Sequence, residues 1–157
     1  PNASIKFEGD TGPYILYAYA RISSMMRKAE DMEGKVDWTL LKEPAEKALA
    51  LRCALFPEAV HKAARELDSS TIAGYLLDLA KDFSTFYRNC SVLNAESQDL
   101  RKTRLALSSC VRTILRNGLS VPFKVHIDII AFFICYDKST IKMCILLRRL
   151  IILNYPF

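Results

Sequence analysis

Apolar positions along the chain fall into five stretches of helical period, separated by short polar breaks. From Tyr14 onward, Ile15, Ala18, Tyr19, Ile22, Met25, Met26 and Ala29 recur every three or four residues, with Arg21 and Arg27 at the margins of the stripe. This predicts a long first helix over about residues 13–30. Its start suits Pro13, whose preset φ fits a first helical turn, with Asp10, Thr11 or Gly12 as a cap. The charged stretch Glu30 to Lys35, containing Gly34, separates it from a second helix beginning near Pro44, with Ala48, Leu49, Leu51, Ala54 and Leu55 as its apolar positions. Phe56-Pro57 marks a break. Pro57 then opens a third helix, lined by Val60, Ala63, Ala64 and Leu67 and ending at Asp68 to Ser70, with Glu58 favourable to its dipole.

Ser69 or Ser70 is placed to cap a fourth helix, in which Ile72, Tyr75, Leu76, Leu79, Phe83 and Phe86 keep the helical period while Asp78, Lys81 and Asp82 take the other side. After a loop from Cys90 to Ala95, residues Leu100, Leu105, Leu107, Val111, Ile114 and Leu115 mark a last long helix, with Asn117-Gly118 expected as its left-handed terminus. The predicted fold is all-α, a helical bundle with short connections.

Beyond Ser120 the character changes, since 24 of the 37 remaining residues are apolar or aromatic and isoleucine dominates. The expected organisation is a helical domain over 1–120 and an aberrant tail over 121–157. Runs such as Ile129 to Tyr136 are far below the roughly 20 residues that span a bilayer as a helix, so no membrane span is predicted. The net charge of +5 is too small to name a partner, and more than half of it sits in the tail. Five cysteines form no CxxC pair and have no histidine at zinc-ligand spacing, so a metal site is not expected. They fit small buried hydrophobes in a reducing, intracellular compartment. The chain opens on Pro1 and reads as a fragment.

The segment Phe7-Glu8-Gly9-Asp10-Thr11-Gly12-Pro13-Tyr14-Ile15-Leu16-Tyr17-Ala18-Tyr19-Ala20-Arg21 closely resembles the stretch joining the catalytic and anticodon-binding parts of arginyl-tRNA synthetases. Phe56-Pro57-Glu58-Ala59-Val60, then Tyr75 to Ala80 with Phe83 and Phe86-Tyr87, then Arg104-Leu105-Ala106-Leu107 resemble the same family in the same order. The resemblance covers about residues 4–120 and corresponds to the carboxy-terminal helical domain named after a DALR tetrapeptide, which this chain lacks. It implies binding to the anticodon stem-loop of arginine tRNA, with the catalytic domain of the same synthetase as the other partner and neither DNA nor a membrane. It further implies a cytoplasmic setting, with an organelle as the alternative. ATP and magnesium belong to the catalytic domain of that family, and no cofactor is expected here. His126-Ile127-Asp128 and Lys138-Ser139-Thr140 lack the context of the family's HIGH-type and KMSKS-type motifs, so this segment alone is expected to be non-catalytic. Family members finish with a segment like L-G-I-x-x-P-x-x-M, whereas here Gly118-Leu119-Ser120 leads into unalignable sequence. The tail therefore reads as translated intron, frameshifted sequence or a mis-drawn gene boundary, which the matching transcript would decide.

Candidate tRNA-binding residues follow. Tyr87 is the leading aromatic ring for stacking on an unpaired base, at ~1–3 kcal/mol per base, with Phe86 second; core packing is the competing role for both. Arg101, Arg104, Arg112 and Arg116 make the last helix basic and suit phosphates, the alternatives being a solvated face and, for Arg104, a buried carboxylate. Tyr14, Tyr17 and Arg21 lie on the helix resembling the domain junction and suit contact with the catalytic domain or the inner side of the tRNA, against core packing for the tyrosines. His61 is expected to have no catalytic role, and Trp38 is expected to be a small hydrophobic anchor. Two other functions compete: a helical protein-interaction module in a synthetase or other complex, and a peripheral membrane protein using the tail.

Overall fold

The computed structural model describes residues 12–29 and 34–124, with side chains described as far as Leu119. Its helices are α1 (Gly12–Arg27), α2 (Pro44–Ala54), α3 (Phe56–Glu66), α4 (Ser70–Asn89) and α5 (Gln98–Lys124), and Trp38–Leu40 forms a short 3-10 turn. The described residues form an all-α bundle, as the periodicity predicts. The tail beyond Lys124, with Cys135 and Cys144, lies outside the described residues, as do residues 1–11 and 30–33.

Helix α4 is the axis of the bundle because one broad apolar face along its whole length meets all four other helices. Ile72, Leu76, Leu79, Ala80, Phe83 and Phe86 are all buried, and they meet α1, α2, α3 and α5. Helix α1 contributes Ile15, Ala18, Ile22 and Met25, a spacing of three or four residues that puts them on one face. Cys53, Cys90 and Cys110 are buried thiols in the same core. Burial raises the Cys90 thiol pKa and the nearby Glu46 carboxylate adds to it, keeping the thiol neutral.

Helix α2 differs from its predicted stripe. Glu46, Leu49, Ala50 and Cys53 face inward with Ala54, whereas Ala48, Leu51 and Leu55 stay exposed. The reason is an acidic residue at a core position. Glu46 accepts the Glu43 N–H at 2.9 Å with one carboxylate oxygen and Arg104 Nε at 2.6 Å with the other. Arg104 also donates to the Ser91 carbonyl at 2.8 Å, so this buried pair joins the start of α2, the second turn of α5 and the α4–α5 loop. On the outer side, Arg52 pairs with Asp82 at 2.7 Å and Asp78 at 3.7 Å, and the Tyr75 hydroxyl donates to the Arg52 carbonyl. The hydrogen bond to Asp82 raises the Arg52 pKa further.

Three termini also depart from the sequence reading. Helix α3 ends one residue before Leu67, which sits in the left-handed region at φ 51 and is exposed rather than core. The α4 cap comes from Asp68 instead of a serine. Its carboxylate accepts the Ser70 N–H at 2.9 Å, the Ser70 hydroxyl at 2.7 Å and the Thr71 hydroxyl at 3.0 Å, while Ser69 makes no side-chain cap bond. These bonds, the Ser70 hydroxyl foremost, hold the Asp68 carboxyl below its ordinary range. Helix α5 does not stop at Asn117-Gly118 but runs on to Lys124. Gly118 is inside the helix, where a Cβ would come within 2.5 Å of Leu76 Cδ2, so this glycine provides close approach to α4 rather than a left-handed end.

Residues 34–41 lie against the first turns of α5. Gly34 has φ +128, and a Cβ there would sit 3.0 Å from the Gln98 carbonyl oxygen, so both backbone geometry and space demand glycine. Lys35 N–H donates to Asp99 and Asp37 N–H to Thr103 Oγ1, each at 2.9 Å. Asp37 caps the 3-10 turn through Thr39, which holds its carboxyl below the usual range. Trp38 is half-buried against the core, the anchoring role expected for it.

Candidate nucleic-acid interface

Tyr14 Oη donates to Ser84 Oγ at 3.0 Å, and about two turns further along α1 Arg21 reaches Tyr87, which follows Ser84 on α4. The two contacts rise together along both helices, so α1 and α4 run side by side in the same direction. This registration places Tyr17, Arg21 and Tyr87 in one surface cluster. The Arg21 guanidinium carbon lies 4.6 Å from the Tyr17 ring centroid and 5.0 Å from that of Tyr87. Arg21 also donates to the Tyr17 hydroxyl. Tyr87 is steadied from below by Phe83, with centroids 6.0 Å apart. Tyr17 is 59% exposed and Tyr87 41%, and Leu16 beside Tyr17 is 56% exposed.

A planar cation against two exposed aromatic faces is chemistry suited to unpaired nucleic acid, since bases stack on rings and on guanidinium planes alike. The pattern along the chain separates Tyr87, a stacking candidate, from Tyr17 and Arg21, junction candidates; the structure unites them. Tyr14 is half-buried and hydrogen-bonded to α4, leaving it little outward surface.

Two other candidates are placed where they cannot meet RNA directly. Phe86 is fully buried, one position before Tyr87 and facing the core with Phe83, so it presents no ring face. Arg104 is buried and committed to Glu46 and Ser91, the buried-carboxylate alternative. Arg101 and Arg112 are partly buried and Arg116 is exposed. The Arg101 Nε is enclosed and bonds no protein atom among the described residues. Arg116 lies about 22 Å along α5 from Arg101 at 1.5 Å per residue, so the basic residues form a string along the helix rather than a cluster. His61 is exposed on α3, remote in sequence from any other candidate. Sequence reading missed Glu46 altogether, although its position three residues after Glu43 is a capping-box spacing.

A family model described as the DALR anticodon binding domain matches residues 15–121. The chain belongs to the DALR anticodon-binding domain family. It is 40% identical over 133 residues to the arginine–tRNA ligase of Treponema denticola, an alignment covering 78% of this chain and 22% of that protein. Identity to the arginine–tRNA ligase of Frankia casuarinae is 43% over 117 residues, covering 74% of this chain and 20% of that protein. Among solved structures, the arginyl-tRNA synthetase of Thermus thermophilus aligns with a TM-score of 0.67 and 41% identity, over 74% of this chain and 20% of that one. The chain spans about a fifth of the length of the curated relatives it matches. All the residues of the α1–α4 cluster lie within the DALR match, which also takes in α2 through α4 and α5 as far as residue 121. A DALR domain is a tRNA-binding module, and this one carries the exposed rings of Tyr17 and Tyr87, with Arg21 against them, on its α1–α4 face.

Proposed function

We propose that this domain binds the anticodon stem-loop of arginine tRNA as the RNA-recognising part of an arginine–tRNA ligase. The observation that carries the reading is the Arg21 guanidinium set between the exposed rings of Tyr17 and Tyr87, in a chain of this family. Tyr87 stacks on an unpaired loop base, and the outward arginines of α5, Arg112 and Arg116, meet phosphates. Attachment of arginine with ATP and magnesium belongs, in this reading, to the catalytic domain of the same enzyme, working in the cytoplasm.

The test is binding of the full chain to an arginine-tRNA transcript and to a non-cognate tRNA, each across a salt series. The expected result is tighter cognate binding that weakens steeply with salt, and a Tyr87→Ala variant that loses ~1–3 kcal/mol of it. Equal binding of both tRNAs would overturn the proposal. A second reading rests on Leu16 and Tyr17, adjacent large side chains that are both more than half exposed. They suit a protein partner, the catalytic domain first, and such an interface would show little salt dependence.

A further inference from the structure

A surface arginine ordinarily extends its guanidinium into water, but Arg21 is folded back and half-buried. It donates to the Tyr17 hydroxyl on its own helix, one turn earlier, and its guanidinium covers ring faces on two helices. Tyr87 depends on this arrangement. On its own helix the tilted Phe83 lies beneath it, 6.0 Å away at 38°, and from α1 it is Arg21 that meets the ring. Each cation–π contact at an exposed site contributes enough to bias a rotamer severalfold, and the Tyr17 hydrogen bond tethers the guanidinium beside both rings.

We infer that Arg21 is a positioning residue, whose guanidinium, clamped between Tyr17 and Tyr87, holds the Tyr87 ring in the orientation in which an unpaired RNA base stacks on its remaining exposed surface. The inference rests on the anticodon-loop reading above and adds to it a role for a side chain that need not touch RNA itself. Preorganisation is the physical gain: a ring already held in its bound rotamer loses less freedom when the base arrives. Arginine suits the slot, because a broad, delocalised cation with several donors can reach two rings and a hydroxyl at once, whereas a lysine ammonium is a compact point charge.

The experiment uses the full chain and an arginine-tRNA anticodon stem-loop carrying 2-aminopurine in the loop, whose fluorescence is quenched by stacking. Wild type should quench the probe on binding, and Tyr87→Ala should abolish the quench and weaken binding about 5- to 100-fold. Arg21→Gln and Arg21→Lys should both lose most of the quench and weaken binding by about 3- to 10-fold, the scale of the lost cation–π contacts. The salt slope of Arg21→Gln should stay that of wild type, because no phosphate contact is removed. Arg21 is on the surface side of its helix, and thermal melts of each variant verify the fold. Wild-type quench in Arg21→Gln with a salt slope reduced by about one would make Arg21 a phosphate contact and overturn the inference. Full rescue of the quench by Arg21→Lys would also overturn it. Absence of binding by wild type, or an unchanged Tyr87→Ala, would instead remove the anticodon-loop reading on which it rests.

Discussion

Leu67 is the one described residue other than glycine with a left-handed backbone, at φ 51 and ψ 35, and it is 79% exposed. Its N–H and that of Asp68 both reach the Ala63 carbonyl, closing α3 in the manner usually given to glycine. A leucine there bears the crowding between its Cβ and its backbone and gains almost no burial in return. Leu67→Gly should therefore stabilise the domain by ~1 kcal/mol, read as a higher urea midpoint with unchanged slope. The same residue shows why periodicity alone misled: Leu67 continues the Val60, Ala63, Ala64 spacing, yet the helix carrying that spacing has already ended. Phe86 and Tyr87 make a matching pair, since neighbours in sequence point about 100° apart on a helix and only the surrounding helices decide which ring faces in.

Among the elements, α1 and α4 were legible almost entirely, because each buries a regular stripe against several neighbours. The start of α2 was legible from Pro44, but its inward face was not, since Glu46 occupies a core position only through Arg104, 58 residues later. The far end of α5 was misread because a glycine after asparagine serves two purposes that look alike in sequence, a left-handed stop or an absence of side chain. Leu76 resolves the ambiguity. Gly118→Ala gains ~1 kcal/mol of helix propensity but drives a methyl to 2.5 Å from Leu76 Cδ2 and 3.0 Å from its Cγ, and Leu76 is itself buried. Overpacking of this kind costs ~1–3 kcal/mol, so a net loss of about 1 kcal/mol in urea unfolding is expected. Adding Leu76→Ala should then cost less than the sum of the two single changes.

At the level of the whole molecule, the Glu46 and Arg104 pair links segments 58 residues apart in the chain, with the Ser91 carbonyl as a third corner. Removing one partner strands a buried charge. Glu46→Ala should lower stability by ~3–5 kcal/mol, whereas Glu46→Leu combined with Arg104→Met should recover much of that loss, as measured by chemical unfolding. The candidate site shows the same limit on sequence reading: Arg21 and Tyr87 were each recognisable as candidates, but their 66-residue separation conceals the contact that makes them one site.

The strap at residues 34–37, tied to Asp99 and Thr103, gives the bundle an order of assembly. Helices α2, α3 and α4 neighbour one another in sequence and can associate over short chain closures as they emerge from a ribosome. Helix α1 has a different fate. Half of its docking surface is α5, and the strap that carries the chain away from it is anchored on the first turns of that same helix. The face of Ile15, Ala18, Ile22 and Met25, made before α5, therefore waits on that helix for its full cover, and any nascent chain halted before α5 carries that apolar face incompletely sheltered, a natural target for holding chaperones.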